Sequence, residues 1–534
     1  MALLILWPLL SPGFILTLDM VFTPKLDMPA TVTSSFLFRA GLYLINLVVP
    51  GDIIEKIILF VILVFSGLGM HRLMRSLRLP DTPAVATEWA AYASGLLYTI
   101  NPFTYSRFMA GQYSVLLGYA CLPFFIVALL RFIKEPSLRK SLVLAMWVII
   151  ISIVSIHTLG LAFTVALIAF LQAAWRYRAN TDYLKQLAKY GAVASSVFII
   201  ISSYWLLPLV QGSGTTAASI ATFRGSDQSE FATGGDGVGG KIMHVLRLQG
   251  FWAERNDLYL LPQDTMSIWG IAVTLVWALV VFGAVKVWRQ KRDVGVLLTS
   301  ITTVAVLLAA GVGATWLADN IPFFAGYREP QKFAALVALS YAVFAGFAIS
   351  KLTVMIRPKI GKLIFGVLLS FIIIGFTPVM FNGFNGQLTP RQYPADWYAV
   401  NNQLNNDHDT YQVLSLPWHL YMRYQFSGRV IANPGDGFFD KPILISDNPE
   451  IGNVKPAVYN AQKELLTTQI LPQASRYDTL GHKLAPLNVK YIILSKDDDY
   501  RTYDYLSRQT DLQLIADSKT LKLFRNTAFK KVSE

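Results

Sequence analysis

Charged residues and cysteines are both scarce in this chain of 534 residues, and each shortage excludes a class of protein. Only 15% of the residues are charged and 54% are hydrophobic, whereas a soluble domain carries about 25% charged residues. The one cysteine, Cys121, lies in an apolar run, which excludes an intrachain disulfide and a cysteine-rich metal site. The motifs H-E-x-x-H, G-x-S-x-G and paired C-x-x-C do not occur. Long apolar runs recur from Leu3 to Phe376, so the chain is predicted to be a polytopic membrane protein.

The formal net charge of +13 comes largely from short basic loops between the apolar runs. Two apolar spans separate each basic cluster from the next, so all five clusters are expected on one side of the membrane. The positive-inside rule identifies that side as the cytoplasm, and no nucleic-acid partner is needed to explain the charge. The clusters are Arg72, Arg75 and Arg78; Arg131, Lys134, Arg139 and Lys140; Arg176, Arg178, Lys185 and Lys189; Lys286, Arg289, Lys291 and Arg292; and Lys351, Arg357, Lys359 and Lys362.

The apolar pattern predicts eleven spans, with the amino terminus in the cytoplasm and the carboxyl terminus outside the cell membrane. The first span is interpreted as a transmembrane helix and not as a signal peptide, because it lacks a basic leader and a small-residue cleavage site. The pair at 141–175 is predicted to be either two spans or a re-entrant hairpin. The spans are 2–17, 53–70, 89–103, 114–132, 141–156, 158–175, 191–210, 266–285, 294–316, 333–350 and 364–380.

Two domains are predicted, an α-helical transmembrane domain at 1–380 and an extracytoplasmic mixed α/β domain at 381–534. Residues 32–50 are predicted to form an amphipathic helix on the outer membrane surface. The outer loops are 18–52, 104–113, 211–265 and 317–332. In the second domain, strands are predicted at 412–418, 429–433 and 489–495, a closing hairpin at 513–526, and a helix from Lys455 to Leu471.

Asp19 and Asp27 lie in the first outer loop and are the leading candidates for catalysis. A carboxylate there is able to take a proton from an acceptor hydroxyl as it attacks a sugar, or to orient that acceptor. The alternative is a loop whose acidic residues are simply solvated.

The segment GYREPQKF, at 326–333, is the candidate phosphate site. Arg328 and Lys332 are four residues apart and would share one face if a helix began here, with Pro330 in its first turn. Two cations near a helix amino terminus suit a lipid-linked phosphate. The alternative is an interfacial anchor in which Arg328 pairs with Glu329 or with lipid headgroups.

Three further segments carry weaker signals. Arg107, in the short loop NPFTYSRFMAGQYS, is either a second phosphate or sugar contact or a snorkelling arginine in an aromatic belt. His157, at the tip of the 141–175 pair, is either a loop cap or a substrate contact, and Glu329 is a second candidate for substrate contact. GDGVGGKI, at 235–242, departs from a phosphate-binding loop at Ile242 and is interpreted as a flexible linker.

The chain resembles the 6-pyruvoyl-tetrahydropterin synthase-related family of large bacterial and archaeal polytopic membrane proteins. The resemblance lies in SPGFILTLDMVFTP, NPFTYSRFMAGQYSVLLGYACLPF, HVLRLQGFW, GYREPQKF and VKYIILS with LKLFRN. That family is similar in architecture to the GT-C glycosyltransferases, which include arabinofuranosyl- and mannosyltransferases. No pterin chemistry is implied, because the metal-binding histidine cluster of that enzyme is absent.

The resemblance implies a polyprenyl-phosphate sugar donor and an essential acidic residue in the first outer loop. Asp19 matches that position best and Asp27 is the alternate, while Arg328 and Lys332 are expected to hold the donor phosphate. A strict Asp-x-Asp or Glu-x-Asp pair is missing, so no cofactor is firmly implied and a divalent metal is left open without support.

Two hypotheses follow. The first is a membrane-embedded glycosyltransferase that assembles a cell-envelope glycan or glycolipid from a polyprenyl-phosphate-linked sugar. The second is a non-catalytic translocator or scaffold for lipid-linked envelope precursors. A dead-end pocket lined by Asp19 and Arg328 would favour the enzyme, and a groove open to both faces would favour the translocator.

Overall fold

The computed structural model describes residues 1–77, 82–222, 229–356, 358–451, 454 and 459–530. Arg78, Arg357 and Lys455, which belong to predicted features, lie outside these residues. Within them, eight helices are long and apolar enough to cross a membrane. Two more apolar helices have 16 and 17 residues, about 25 Å at 1.5 Å per residue. The ten helices are Gly51–Ser76, Ala84–Thr99, Tyr113–Lys134, Leu138–Val154, Ile156–Arg176, Thr181–Val210, Trp269–Gln290, Arg292–Ala309, Ala334–Met355 and Lys359–Phe376.

The predicted first span, 2–17, is wrong. The chain instead forms a short helix, Ala2–Leu6, and a 3-10 turn, Trp7–Leu9, before it becomes extended. Pro8 lies inside this turn and has no backbone N–H to donate, and Gly13 has a φ of 122°, which no helix accommodates. The prediction of a cytoplasmic amino terminus depended on this span and loses its basis.

The extended segment contacts the helix Gly51–Ser76 and the carboxyl-terminal residues from 381 onward, which are called the outer domain below. The backbone N–H of Ile15 donates to Oε2 of Glu55 at 2.8 Å, and Phe14 forms a β-bridge with Arg391. Gly51 allows Thr23 to lie close to the start of this helix, because a Cβ at Gly51 would be 2.3 Å from the backbone oxygen of Thr23. The amino-terminal residues are therefore part of the outer face of the fold.

The helix Ala334–Met355 lies at the centre of the bundle, and every residue from Pro330 to Ser350 is buried. Such a helix is apolar on all sides because all of its faces contact other helices. It packs against Ala84–Thr99, Trp269–Gln290 and Arg292–Ala309. Its amino-terminal end carries the segment GYREPQKF to one end of the bundle.

The two ends of the bundle differ in chemistry. At one end the basic clusters meet, and contacts between helix ends hold them together. At the other end the helices meet the loops and the outer domain. Contacts at the basic end include Tyr183 with Ile133, Arg75 with Glu88 and Arg176 with Asp293, and contacts at the opposite end include Tyr327 with His157 and Trp269 with Phe376.

The carboxyl-terminal residues form a five-stranded mixed sheet in the order β4-β1-β5-β7-β6 and a separate two-stranded ribbon, β2-β3. Strand β1 is parallel to β4 and β5, whereas β7 is antiparallel to β5 and β6. Every residue of β5 is buried, including Lys490, which forms ion pairs with Asp407 and Asp409. The strands are β1 Gln412–Leu416, β2 Tyr421–Tyr424, β3 Arg429–Ala432, β4 Ile443–Leu444, β5 Val489–Ser495, β6 Leu512–Asp517 and β7 Leu521–Asn526.

The loops hold several shorter helices. Phe36–Asn46 lies within the predicted amphipathic helix, and none of its residues is buried. The predicted linker at 235–242 is wrong, because Gly237–Leu246 is helical. The predicted helix to Leu471 is divided into an α-helical turn, Ala461–Leu465, a π-helical turn and a 3-10 turn. The other short helices include Pro102–Met109, Gly214–Thr222, Ala314–Asn320 and Ala395–Asn405.

Candidate functional site

Asp19 lies at the tip of a tight turn. Thr17 and Met20 pair with each other through both backbone hydrogen bonds, at 3.1 and 2.7 Å, so that Leu18 and Asp19 form the tip. Leu18 has a φ of 32°, which a branched side chain adopts only under strain. Backbone strain of this kind persists only where the surrounding structure imposes it.

Two parts of the fold impose that turn. On one side the outer domain continues it, since Leu18 forms a parallel bridge with Ile431 of β3. On the other side Gly111 lies against it, and a Cβ at Gly111 would be 2.3 Å from the backbone nitrogen of Met20. The backbone N–H of Asp19 donates to the carbonyl of Ala110 at 3.1 Å. The Asp19 side chain is thereby held at a junction between the bundle and the outer domain.

Tyr421, on β2 of the outer domain, donates its hydroxyl to Oδ1 of Asp19 at 2.6 Å. Burial raises the pKa of Asp19 above its ordinary value, and the hydrogen bond from Tyr421 opposes part of that rise. A carboxylate with a raised pKa is a stronger base than an ordinary aspartate, which suits the removal of a proton from a hydroxyl.

Asp19 is exposed to a cavity of about 830 Å³ at the end of the bundle opposite the basic clusters. The cavity has a polar part and an apolar part. The polar part contains Asp19, Gln112, His157, Arg328, Glu329 and Lys332. The apolar part contains Phe163, Trp205, Leu206, Leu209, Val210, Ile220 and Phe323.

Arg107, Glu329 and Lys332 form a buried charge cluster behind the polar part of this cavity. Nη1 of Arg107 lies 2.9 Å from Oε2 of Glu329, and Nζ of Lys332 lies 3.4 Å from the same oxygen. Burial alone would raise the pKa of Glu329, but the charges of Lys332 and Arg107 outweigh it and hold that pKa well below its ordinary value. One carboxylate therefore neutralises two cations only in part, and the cluster retains one net positive charge.

Arg328 and Lys332 both line the cavity, as the prediction of a shared phosphate site requires. The local structure differs from the predicted helix, because Pro330–Phe333 is a 3-10 turn and the α-helix begins at Ala334. The guanidinium of Arg328 lies 4.6 Å from the ring of Phe231. Glu329 forms ion pairs with Arg107 and Lys332, and the charge of Arg328 also helps to lower its pKa. The anchor alternative, in which Arg328 pairs with Glu329 or with lipid headgroups, stays a prediction.

Arg107, the predicted second phosphate or sugar contact, lies behind the cavity and not in its lining. It is completely buried. Its guanidinium donates to Gln112, Glu329 and Gln331, and it lies 4.0 Å from the ring of Phe251. Arg107 therefore positions Glu329 and Gln112.

His157 lines the cavity at the start of the helix Ile156–Arg176 and is not an exposed loop cap. The hydroxyl of Tyr327 donates to the backbone carbonyl of His157 at 2.6 Å, and the two rings meet edge to face. Gly160, one turn later, leaves room for Tyr327, since a Cβ there would overlap the hydroxyl. The histidine and the phosphate candidates are thus joined through Tyr327.

Asp27 is absent from the lining of this cavity. It lies in a second cavity of about 550 Å³, which Asp19 also lines. The two candidate carboxylates are therefore not equivalent. Of these two carboxylates, Asp19 contacts both cavities and Asp27 contacts the second.

Several contributors could not be identified from sequence. Tyr421 lies 402 residues from Asp19, and nothing in the motif YMRY marks it. Glu254 is partly buried and accepts hydrogen bonds from Ser106 and the backbone of Gly250, which fastens the loop at 250–254 to the helix Pro102–Met109. Burial raises the pKa of Glu254 to about 7. In the sequence, Glu254 is marked only as an acidic residue that comes shortly after HVLRLQGFW.

Within the part of the chain that the structure describes, no group of three His, Cys, Asp or Glu side chains is arranged to hold a metal ion. The side chains at the polar end of the first cavity are instead suited to ion pairing and hydrogen bonding.

The fold defines a class: a multi-pass membrane protein with a carboxyl-terminal α/β domain. The model of a family of unknown function, DUF6541, matches residues 54–363, more than half of the chain, and the chain belongs to that family. The 6-pyruvoyl-tetrahydropterin synthase-related label of the sequence resemblance finds no support in these comparisons. No curated protein matches the sequence.

The fold is similar to the cryo-EM structure of the arabinofuranosyltransferase AftD from Mycobacteria, with a TM-score of 0.68 and 14% identity. The match covers 98% of this chain and 39% of that chain. A second structure, of an arginine-to-serine mutant of AftD, gives a TM-score of 0.62 at 13% identity, with coverages of 98% and 40%. The chain therefore spans about two fifths of the length of AftD, and the likeness concerns the fold.

Proposed function

We propose that the protein is a membrane-embedded glycosyltransferase that takes its sugar from a polyprenyl-phosphate donor and adds it to a cell-envelope glycan or glycolipid. The observation that carries this proposal is the first cavity, which combines Asp19, two cations and an apolar wall. A lipid-linked phosphate has the matching parts, an anion at one end and a hydrocarbon chain at the other. The fold similarity to AftD, an arabinofuranosyltransferase, is consistent with this class of reaction.

The charges suit the departure of a phosphate. Arg328 and the net positive cluster at Lys332 face the cavity, and the proposed leaving group gains negative charge as the sugar is transferred. Fixed cations stabilise that charge without rearranging during the reaction. Asp19, with its raised pKa, is the proposed base for the acceptor hydroxyl. His157 and Glu329 are proposed to support this part of the site, Glu329 through its ion pair with Lys332.

The proposed orientation places the basic end of the bundle in the cytoplasm and the cavity with the outer domain on the extracytoplasmic side. Ten crossings return the chain to its starting side, so the amino-terminal segment is proposed to lie outside together with Asp19. The division into domains at 1–380 and 381–534 remains a prediction.

The translocator hypothesis is less well supported. The first cavity is lined by the starts of the helices Tyr113–Lys134 and Ile156–Arg176, by the end of Thr181–Val210 and by adjoining loops. Within the described residues, none of its lining comes from the basic end of the bundle. A pocket closed toward the basic end suits an enzyme and offers no path across the membrane.

The proposal is tested by binding of farnesyl phosphate to purified protein in detergent. Arg328→Gln is expected to weaken binding about tenfold, which corresponds to about 1.4 kcal/mol. Arg255→Gln is the matched control, because Arg255 lies in an outer loop, outside this cavity, and contacts backbone carbonyls. Farnesol, which lacks the phosphate, should bind wild type and Arg328→Gln equally.

The catalytic role is tested separately by Asp19→Asn in a deletion strain. The variant should bind farnesyl phosphate but fail to restore the envelope glycans. Full restoration would remove Asp19 from the mechanism, and absence of farnesyl phosphate binding by wild type would reject the lipid-linked donor.

A further inference from the structure

The second cavity adjoins the first and shares Asp19 and Tyr113 with it. Its remaining lining comes from the loop at 21–31, from the helix Phe36–Asn46 and from the outer domain at 436–437. Three separated parts of the chain thus enclose about 550 Å³ beside the proposed base. That volume is sufficient for one or two sugar rings.

The second cavity is more negative than the first. In the first, Arg328 and Lys332 balance Asp19 and Glu329, and the buried Arg107 behind them adds one positive charge. Asp19, Asp27 and Asp436 line the second cavity together with one cation, Arg39, which leaves a net charge of −2 when all are ionised. Lys25, in the same loop, is not among the lining residues and forms an ion pair with Asp440, although its charge also lowers the pKa of Asp27. An anionic ligand would be repelled here, because carboxylates without matching cations disfavour a further negative charge.

A neutral, hydroxyl-rich molecule has the complementary chemistry. Its hydroxyls donate hydrogen bonds to carboxylates, and charge-assisted bonds of this kind are stronger than bonds between neutral groups. The first cavity, with Arg328 and Lys332, instead favours an anion. Because the two adjacent cavities favour ligands of different charge, each substrate would be disfavoured in the cavity of the other.

We propose that the second cavity is the acceptor site, and that it selects an uncharged carbohydrate whose hydroxyl it presents to Asp19. This inference rests on the proposed function. The acceptor O–H bond breaks and its proton passes to the Asp19 carboxylate. The acceptor oxygen forms a bond to the anomeric carbon of the donor, and the bond from that carbon to the phosphate oxygen breaks. The phosphate leaves with the electron pair of that bond and stays beside Arg328 and Lys332.

The test uses the single cysteine of the chain. In a Cys121→Ala background, Thr31→Cys places a thiol in the second cavity and Ser114→Cys places one in the first. The uncharged reagent N-ethylmaleimide reports how freely each thiol is reached. The probes are farnesyl phosphate and oligosaccharides released from the envelope of a strain that lacks the gene, separated by anion exchange into neutral and anionic pools.

The neutral pool is expected to slow labelling of Thr31→Cys at least fivefold, while the anionic pool has no effect. Adding Asp27→Asn and Asp436→Asn should abolish this protection. The control pair Asp498→Asn and Asp504→Asn, on the outer domain and not part of the cavity lining, should keep it. Farnesyl phosphate is expected to slow labelling of Ser114→Cys in every variant.

Protection by the anionic pool, or protection that survives Asp27→Asn and Asp436→Asn, would overturn the inference. So would failure of every pool to protect Thr31→Cys while farnesyl phosphate still protects Ser114→Cys, and the proposed donor site would then stand. Failure of farnesyl phosphate to protect Ser114→Cys would count against the proposed function itself.

Discussion

Replacement of Arg107 by leucine should lower both the stability of the protein and its affinity for a lipid phosphate. The guanidinium is completely buried, lies 2.9 Å from Glu329 and lies 4.0 Å from the ring of Phe251. Removing one partner of a buried ion pair costs about 3–5 kcal/mol, because the other charge is left without compensation. Lys332 still contacts Glu329 at 3.4 Å, so we expect a loss at the lower end, about 3 kcal/mol.

The same substitution changes the charge that a ligand meets. Without Arg107, the charge of Lys332 is neutralised by Glu329, and the cluster behind the cavity becomes neutral. Farnesyl phosphate should therefore bind Arg107→Leu about tenfold more weakly than wild type, a difference of about 1.4 kcal/mol. The double variant Arg107→Leu with Glu329→Gln restores one net positive charge, so most of that affinity should return.

Stability is measured by unfolding in rising mole fractions of dodecyl sulfate, followed by tryptophan fluorescence. Arg75→Leu is the matched control, since Arg75 forms an exposed ion pair with Glu88, and exposed pairs contribute about 0–1 kcal/mol. The double variant should be no more stable than Arg107→Leu alone, because it leaves the buried Lys332 without its carboxylate partner. Equal stability of Arg107→Leu and Arg75→Leu, or affinity that falls further in the double variant, would refute this account.

Three further predictions concern the turn that carries Asp19. Tyr421→Phe removes a hydrogen bond that lowers the pKa of Asp19, so that pKa should rise. Activity that requires ionised Asp19 should then disappear at a higher pH on acidification than in wild type, which a pH–rate profile measures. Tyr491→Phe removes a similar bond to a carboxylate elsewhere in the outer domain and should leave the profile unchanged. Leu18→Gly relieves a backbone with φ of 32° and should leave stability within about 1 kcal/mol of wild type in unfolding experiments. Gly111→Ala forces a Cβ to within 2.3 Å of a backbone atom at a φ of 71°, and should destabilise by about 2–4 kcal/mol and abolish complementation. A fully active Gly111→Ala would show that the turn tolerates displacement.

The spans were predictable because the membrane imposes a strong and local rule. Ten of the eleven predicted spans coincide with helices, since an uninterrupted apolar run has few ways to satisfy its backbone other than as a helix. The exception is 2–17, which is apolar enough to cross a membrane but contains prolines. Its backbone N–H groups donate hydrogen bonds to Glu55 and to the carbonyl of Arg391. Those partners are distant in sequence, so composition alone could not reveal them. The prediction for GDGVGGKI was wrong for the opposite reason. Its four glycines suggested a flexible linker, but the structure has a helix from Gly237.

The outer domain was predictable where strands are buried and apolar. VKYIILS became β5, and the closing hairpin became β6 and β7. Strands β2 and β4 were missed, because YMRY is short and half polar and β4 has only two residues. The candidate site shows the same limit. Arg328 and Lys332 were singled out by their spacing and line one cavity, whereas the buried ion pair of Arg107 involves Glu329, which is 222 residues away.

The bridge between Leu18 and Ile431 has a consequence for the order in which the protein is made. Asp19 precedes the ten apolar helices of the described residues, whereas the residues that hold it, Tyr421 and Ile431, follow them. Until those strands have been synthesised and folded, the carboxylate has neither its hydrogen-bond donor nor the strand that fixes its turn. The surroundings of Asp19 would thus be complete only after the helices between have been made, so that a half-inserted chain would lack them.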